Sequence, residues 1–480
     1  MKKQRAILNL TVFFLLILLG AGSVFAQKGP KDKFVFGPLN PIKMPKAETV
    51  KLKNGLKLFL IEDHDYPTVD IRAMVHTGSV FEQASKIGLG SIAAQVLRTG
   101  GTEFQTGDEI DKELETMAAT IESFMSRDNG YVMVSVLKED IDKALKILAD
   151  ILMNPAFAED KIQLAKIMQS SVISRRNDEI MQIANREFEK LIYGKDSPYS
   201  RHPEYTTIAA VTRDDIVDFY NKYFNPNNII MAVWGDFKTK EMTAKMKKFF
   251  EKWKSVKIDV PALPRLKYQY RYTVNLIDKP DVNQSNIMIG HLGGLMSNPD
   301  YPALNVMNRI LSWDRMFKKI RTDEGLAYAV WGYYGASYQY PGIFSSGAQT
   351  KSESTVYAIE LMLKEMKRIT EEEVSDEELA NAKDSYLNSY VFNFDSKDRI
   401  VRRLMTYAYY GYPLDFIEIL KSKVEKVTKA DVLKVAQKYL HPDKLQILVV
   451  GKKENFDKPL STLGPVNVID IAIPPPQPKE

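Results

Sequence analysis

A stretch of this chain occurs twice, and that repeat constrains the fold more than any other feature. Residues 211–235 read VTRDDIVDFYNKYFNPNNIIMAVWG, and residues 427–451 read VTKADVLKVAQKYLHPDKLQILVVG. Val-Thr, Lys-Tyr, Pro and the closing Gly recur at an offset of 216 residues. Each copy spells the same physical unit: Thr212 or Thr428 as a helix N-cap, a helix, an Asn-Pro or His-Pro turn, and an apolar strand. A second match supports the first. The helical stripe Ile141, Ala144, Leu145, Leu148, Ile151 returns as Ile359, Met362, Leu363, Met366, Ile369, at an offset of 218. Two matches at nearly one offset imply two homologous halves.

Each half mixes strands with amphipathic helices. Val50 to Leu60 alternates and turns at Asn54-Gly55, a hairpin signature. Gly130–Leu137 and Ile343–Gln349 read as strands, each followed by an amphipathic helix. The fold class is therefore α+β, with two α/β-sandwich halves, each a sheet backed by helices. The expected divisions are 1–26, a signal peptide; 27–255, the first half; 256–272, a linker broken by Pro261 and Pro264; 273–455, the second half; and 456–480, a Pro-rich tail in which Val466, Val468 and Asp470 suggest a docking strand.

The leader sets the expected compartment. Lys2, Lys3 and Arg5 precede an apolar stretch whose uninterrupted part, Val12 to Leu19, is eight residues, followed by small residues up to Ala26. That pattern predicts an exported, most simply periplasmic protein cut after Ala26. The stretch is shorter than the roughly 20 apolar residues a membrane span needs, and no later run reaches that length. Cysteine is absent, which excludes disulfides, thiolate metal sites, a lipoprotein acceptor and a cysteine nucleophile. The whole chain carries +5; without the leader's three basic residues, 63 basic face 61 acidic residues, a net of +2. That balance gives no case for nucleic acid as a partner, or for an anionic membrane.

Only five histidines exist: His64, His76, His202, His291 and His441. At Gly88 the sequence reads GLGSIAAQVLRTGGT. Leu89, Ile92, Ala93, Val96 and Leu97 form an apolar helical stripe, leaving Ser91, Ala94, Gln95 and Arg98 on the other face. This helix entry, the strand ending Thr77-Gly78-Ser79, both Val-Thr…Pro…Gly segments and the block RTDEGLAYAV at Arg321–Val330 resemble the pitrilysin/insulinase family of zinc peptidases. Within it the chain is similar to the two-half type that works as a pair of chains, as in the mitochondrial processing peptidases. The resemblance covers nearly the whole mature sequence. It implies an inverted zinc motif, H-x-x-E-H, on the helix after Gly88-Leu89, with the two histidines holding Zn²⁺ and the Glu activating water.

In this chain those places are held by Ser91, Ala94 and Gln95. Alanine is no base, and a serine hydroxyl or glutamine amide is no ordinary zinc ligand. The family's third ligand, a Glu on a downstream helix, falls in Ile167–Arg176, which contains no acidic residue. The resemblance therefore implies a degenerate motif that binds no metal. His64 and His76, twelve residues apart across a strand, are the one pair that could rebuild a site, and they lack a third ligand.

The second half keeps what the first has lost. Arg321 and Tyr328 match the family's Arg…Tyr pair, whose implied roles are a charge-assisted bond to the peptide and a hydroxyl bond to the oxyanion. The family's Gly-rich loop before this pair is replaced by Leu311-Ser312-Trp313-Asp314-Arg315. The following stretch, with Tyr328, Trp331, Tyr333, Tyr334, Tyr338 and Tyr340, is either sheet packing or one wall of a peptide cleft. The first reading is thus the zinc-free subunit of a heterodimeric zinc peptidase, inactive alone, with zinc carried by a homologous partner bearing an intact H-x-x-E-H. Its Arg321 and Tyr328 complete that partner's site around a peptide. The alternatives are a catalytically inactive peptide-binding or scaffold protein of the same shape, and a peptidase using other ligands.

Overall fold

The Asn54-Gly55 turn closes the hairpin that the alternation predicts. Gly55 takes φ +97, a left-handed conformation that costs glycine little, and β1 (Glu48–Lys51) pairs antiparallel with β2 (Lys57–Glu62). The computed structural model describes residues 47–475. The leader and its cut after Ala26 lie outside the described residues, as do residues 27–46 and the last five.

The first sheet adds β3 (Thr68–Val75), β4 (Thr120–Met125), β5 (Gly130–Leu137) and β6 (Ile229–Gly235) in the order β1-β2-β6-β3-β5-β4. The second contains β7 (Thr273–Asp278), β8 (Gln284–Leu292), β10 (Ala327–Tyr334), β12 (Ile343–Lys351), β13 (Gln446–Gly451) and β14 (Val466–Val468). Read from β14, its order is β14-β7-β13-β8-β12-β10, the same plan strand for strand. The β2–β6 and β7–β13 pairs are both parallel, and both follow the duplicated helix–turn–strand unit. One edge differs: β1 lies antiparallel on β2, whereas β14, the strand expected in the tail, lies parallel on β7. Between β8 and β12 a small parallel pair, β9 (Gly294–Leu295) with β11 (Ala336–Ser337), forms a separate ribbon.

One face of each sheet is covered by helices of its own half. The first carries α1 (Leu89–Thr99), α2 (Ile141–Met153), α3 (Glu159–Ser174), α5 (Arg213–Tyr223) and α6 (Thr239–Phe250), sharing one core with β2, β3 and β6. The second carries α7 (Tyr301–Arg309), α8 (Thr355–Glu371) and α10 (Lys429–Tyr439). Thr212 and Thr428 cap α5 and α10, each accepting the amide of the residue three along (Asp215 or Asp431) at 3.2 Å. In both cases that Asp bonds back to the threonine amide, completing a capping box.

The other face of each sheet is covered by the opposite half. From the first half, α4 (Ile180–Tyr193) sets Ile183, Ala184, Phe188 and Ile192 against Met288, Leu448 and Val450 of the second sheet. From the second half, α9 (Lys397–Tyr410) sets Ile400, Val401, Leu404 and Met405 against Phe59, Ile61, Met74 and Trp234 of the first. Ile180 and Lys397 stand 217 residues apart, the repeat offset again. With both faces covered, the inner strands β6 and β13 are apolar almost without alternation, IIMAVWG and QILVVG.

Polar contacts fasten the exchange. The Tyr410 hydroxyl donates to the Asp128 carboxylate at 2.7 Å, and the Tyr409 hydroxyl to the Asp128 carbonyl at 2.6 Å. After β14 the tail continues across the molecule. Ile469 and Ile471 join the α4 cluster, Asn177 donates to the Ile471 carbonyl at 2.7 Å, and Ile473 packs on the core of the first sheet.

Candidate functional site

The helix α1, on which the resemblance places the family's metal motif, is held at its start by a buried carboxylate. Gly88 enters α1 at φ +103, where an added Cβ would meet Ile208 Cδ1 at 2.4 Å. Glu82 accepts the amides of Gly88 at 2.9 Å and Gly90 at 2.7 Å. Burial pushes the Glu82 carboxyl up to about 7, against the pull of those two amides. Between the ordinary carboxylate range and pH 7 the folded chain therefore binds more protons than the unfolded one, so stability falls as pH rises through that window. Glu82→Gln removes this titration. The wild type is expected to lose up to about 3 kcal/mol relative to the variant between pH 4.5 and 8, read as the difference between their Tm profiles. Parallel profiles contradict the assignment.

Along α1, Ala94 is buried and Ser91 and Gln95 are half-buried. Gln95 Nε2 lies 3.0 Å from Met168 Sδ, which joins α1 to α3, the helix expected to bear the third ligand. What α3 presents there is apolar: Leu164, Ile167, Met168 and Val172 are 50–65% exposed. A methyl group, an amide bonded to a thioether and a row of aliphatic side chains do not fit Zn²⁺. Nor do His64 and His76 rebuild a site. His64 binds Asp236 at 2.5 Å, while His76 lies edge-on to Tyr409, with ring centroids 4.8 Å apart. Among the described residues no group of three or more His, Asp or Glu side chains could hold a metal ion.

Arg321 and Tyr328 do come together. The wide helix Ile310–Asp323, continuous with α7, ends in a turn at Gly325, whose φ of +63 favours glycine. Lys319 pairs with Glu324 at 2.8 Å, and Thr350 donates to the Leu326 carbonyl at 2.5 Å. Leu326 and Ala327 then pack into the second core. Most of RTDEGLAY thus builds the corner between helix and strand. Arg321 and Tyr328 do not: both are exposed, Tyr328 at 75%, and the Arg321 guanidinium lies 5.8 Å from the Tyr328 ring centre. Tyr328 occupies a bulge on β10, an edge strand of its sheet.

Sequence reasoning missed the rest of this surface. Arg321 also lies 5.2 Å from the Phe317 ring, and Phe317 is 5.2 Å from Trp313, itself 59% exposed. Trp313, Phe317, Arg321 and Tyr328 form a ladder of one ring–ring contact and two cation–ring contacts, with Phe317 half-buried against the second core. Its signal was the spacing 313, 317, 321. The segment Leu311-Ser312-Trp313-Asp314-Arg315, which stands where the family has a Gly-rich loop, is part of the helix Ile310–Asp323.

The aromatic stretch divides between packing and cavity. Tyr334 is buried, Trp331 covers Gly347, and Tyr338 stacks on Tyr410 at 4.7 Å. Tyr333 and Tyr340 instead line a cavity of about 370 Å³ beneath α4, with the Arg127–Glu189 pair, joined at 2.8 Å, on its wall. The Arg321–Tyr328 pair and the Ser91/Ala94/Gln95 face share no hydrogen bond or ion pair among the described residues.

Residues 57–192 match the family model described as insulinase (peptidase family M16), and residues 210–386 match the M16 inactive domain. The chain belongs to the insulinase family, M16. An uncharacterized zinc protease of Rickettsia felis is 26% identical over 81% of this chain and 93% of its own length. A protein of Helicobacter pylori named non-peptidase homolog YmxG is 22% identical over 82% of this chain and 91% of its own. The crystal structure of an M16 inactive domain from Pseudomonas fluorescens superposes with a TM-score of 0.75 at 22% identity, covering 86% of this chain and 99% of that one. The M16 family thus includes members named as inactive forms. No helix among the described residues is long and apolar enough to cross a membrane.

Proposed function

We propose that this chain is an exported, zinc-free M16 subunit that completes the active site of a homologous zinc-bearing partner. One observation carries the reading: Arg321 and Tyr328 are exposed side by side, the guanidinium 5.8 Å from the ring centre, while no group of three or more His, Asp or Glu side chains among the described residues could hold a metal ion. The partner supplies Zn²⁺ and the general base through an intact H-x-x-E-H. Arg321 binds the peptide by charge-assisted hydrogen bonds, and the Tyr328 hydroxyl donates to the oxyanion as it forms. The open edge of β10 offers backbone groups to an extended peptide. The leader supports export to the periplasm.

A second reading, peptide binding without catalysis, is favoured by the apolar stripe of α3. Leu164, Ile167, Met168 and Val172 offer extended chains a hydrophobic surface where a metal centre would stand. Two measurements on the purified chain test these readings. Metal analysis is expected to find no stoichiometric zinc; one zinc per chain contradicts both. Size-exclusion chromatography with a homologue bearing an intact motif is expected to show a 1:1 complex. Separate elution contradicts the subunit reading and leaves the peptide-binding one.

A further inference from the structure

The net charge of this chain conceals a concentration of lysine. Residues 238–257 contain eight lysines against Glu241 and Glu251, a local charge of +6, so the rest of the expected mature chain, +2 in all, is net −4. These residues form α6 and the loop after it. Met242, Met246 and Phe250 face the core, and Lys240, Lys247 and Lys248 stand on the solvent face. Lys252, Lys254 and Lys257 are exposed on the loop.

The surface is fixed in place. Asn54 Nδ2 donates to the carbonyls of Phe250 at 2.7 Å and Trp253 at 3.0 Å, which holds the β1–β2 turn, with exposed Lys53, against the end of α6. Asn227 anchors the loop through the Val256 carbonyl at 3.0 Å. Of the eight lysines only Lys238 and Lys245 have a carboxylate within ion-pair distance among the described residues. Helix stability does not account for the arrangement. Lys247 and Lys248 suit the negative end of the helix dipole, but Lys238 and Lys240 stand at the positive end, where they are unfavourable.

We infer that this face binds the anionic phospholipid headgroups of a membrane surface. Every cation on it is lysine. A plane of headgroups is matched by strongly hydrated point charges, whereas phosphate recognition in nucleic acids draws on the bidentate fork of arginine and on exposed stacking rings. Trp253 is buried, and no large aromatic side chain of this segment is exposed. The exposed apolar side chain here is aliphatic: Val256, 54% exposed between Lys254 and Lys257, is placed to enter the headgroup boundary. The inference is independent of the peptidase reading.

The test is co-sedimentation of the full chain with vesicles of phosphatidylcholine alone, or containing roughly a third phosphatidylglycerol. Binding is expected only to the anionic vesicles, and is expected to disappear at about 1 M salt, where the screening length falls to about 3 Å. A variant combining K247E, K248E and K254E should keep the wild-type Tm and bind about a hundredfold or more weaker. No binding to anionic vesicles, equal binding to both vesicle types, or binding that survives high salt overturns the inference. So does binding to a DNA duplex without binding to vesicles. Should the triple variant fail to fold, the salt series on the wild type decides the question.

Discussion

Tyr328→Phe, in a complex of this chain with a zinc-bearing homologue, is expected to lower kcat/KM by about 10²–10³-fold, the usual cost of one oxyanion donor. The loss should fall on kcat, because the hydroxyl bond strengthens as charge develops on the attacked carbonyl. Arg321→Ala removes a ground-state contact to the peptide and should act mainly through KM. The guanidinium lies over the Tyr328 ring, so the two effects should not add, and the double variant should lose less than the product of the single losses. Neither change should move Tm measurably, since both side chains are exposed and bonded to nothing in the core. Steady-state kinetics of the complex with each variant checks this. Wild-type rates with Phe at 328 remove the tyrosine from the mechanism.

Phe188→Ala should have the largest effect on stability. Phe188 is 2% exposed and is held by α4 against the second sheet, although α4 belongs by sequence to the first half. Truncating a buried phenylalanine costs about 3–5 kcal/mol. Because α4 and α9 are exchanged, the loss should lower the unfolding midpoint of both sheets together. Denaturant unfolding followed by hydrogen exchange at β6 and β13 separates the outcomes. A shift confined to β13, with β6 at its wild-type midpoint, contradicts the interlocked arrangement.

The exchange also shows where sequence reasoning stopped. The amphipathic pattern of Ile180–Tyr193 announces an apolar face, but periodicity does not say which sheet it covers. What was legible was local. The Asn54-Gly55 turn, the Thr212 and Thr428 caps, the strand Gly130–Leu137 and the docking strand at Val466 all depend on chemistry within a few residues, and each is found in place. The Arg321–Tyr328 pair was legible only through the block RTDEGLAY and the resemblance it carries; the residues taken alone read as a surface arginine and a strand tyrosine. Trp313 was not, since it reaches the site through the unusual course of Ile310–Asp323, a helix of the wide type that bulky residues do not signal. The exposed stripe of α3 was hidden for another reason. Ile162, Ala165 and Ile173 face the core while Leu164, Ile167, Met168 and Val172 face water, so apolar residues appear all round the helix and give no contrast.

Total charge misled in a similar way. A net of +2 averages a strongly basic segment 238–257, at +6, against a remainder at −4, and only the local concentration of lysine reveals the difference.

The most direct measurement is the peptidase rate on one unfolded peptide for this chain alone, for a zinc-bearing homologue alone, and for the two mixed in equal amounts. The subunit reading predicts no turnover by this chain, little by the homologue, and a rate in the mixture that exceeds their sum and falls when Tyr328→Phe replaces the wild type. A mixture no faster than the homologue alone contradicts it.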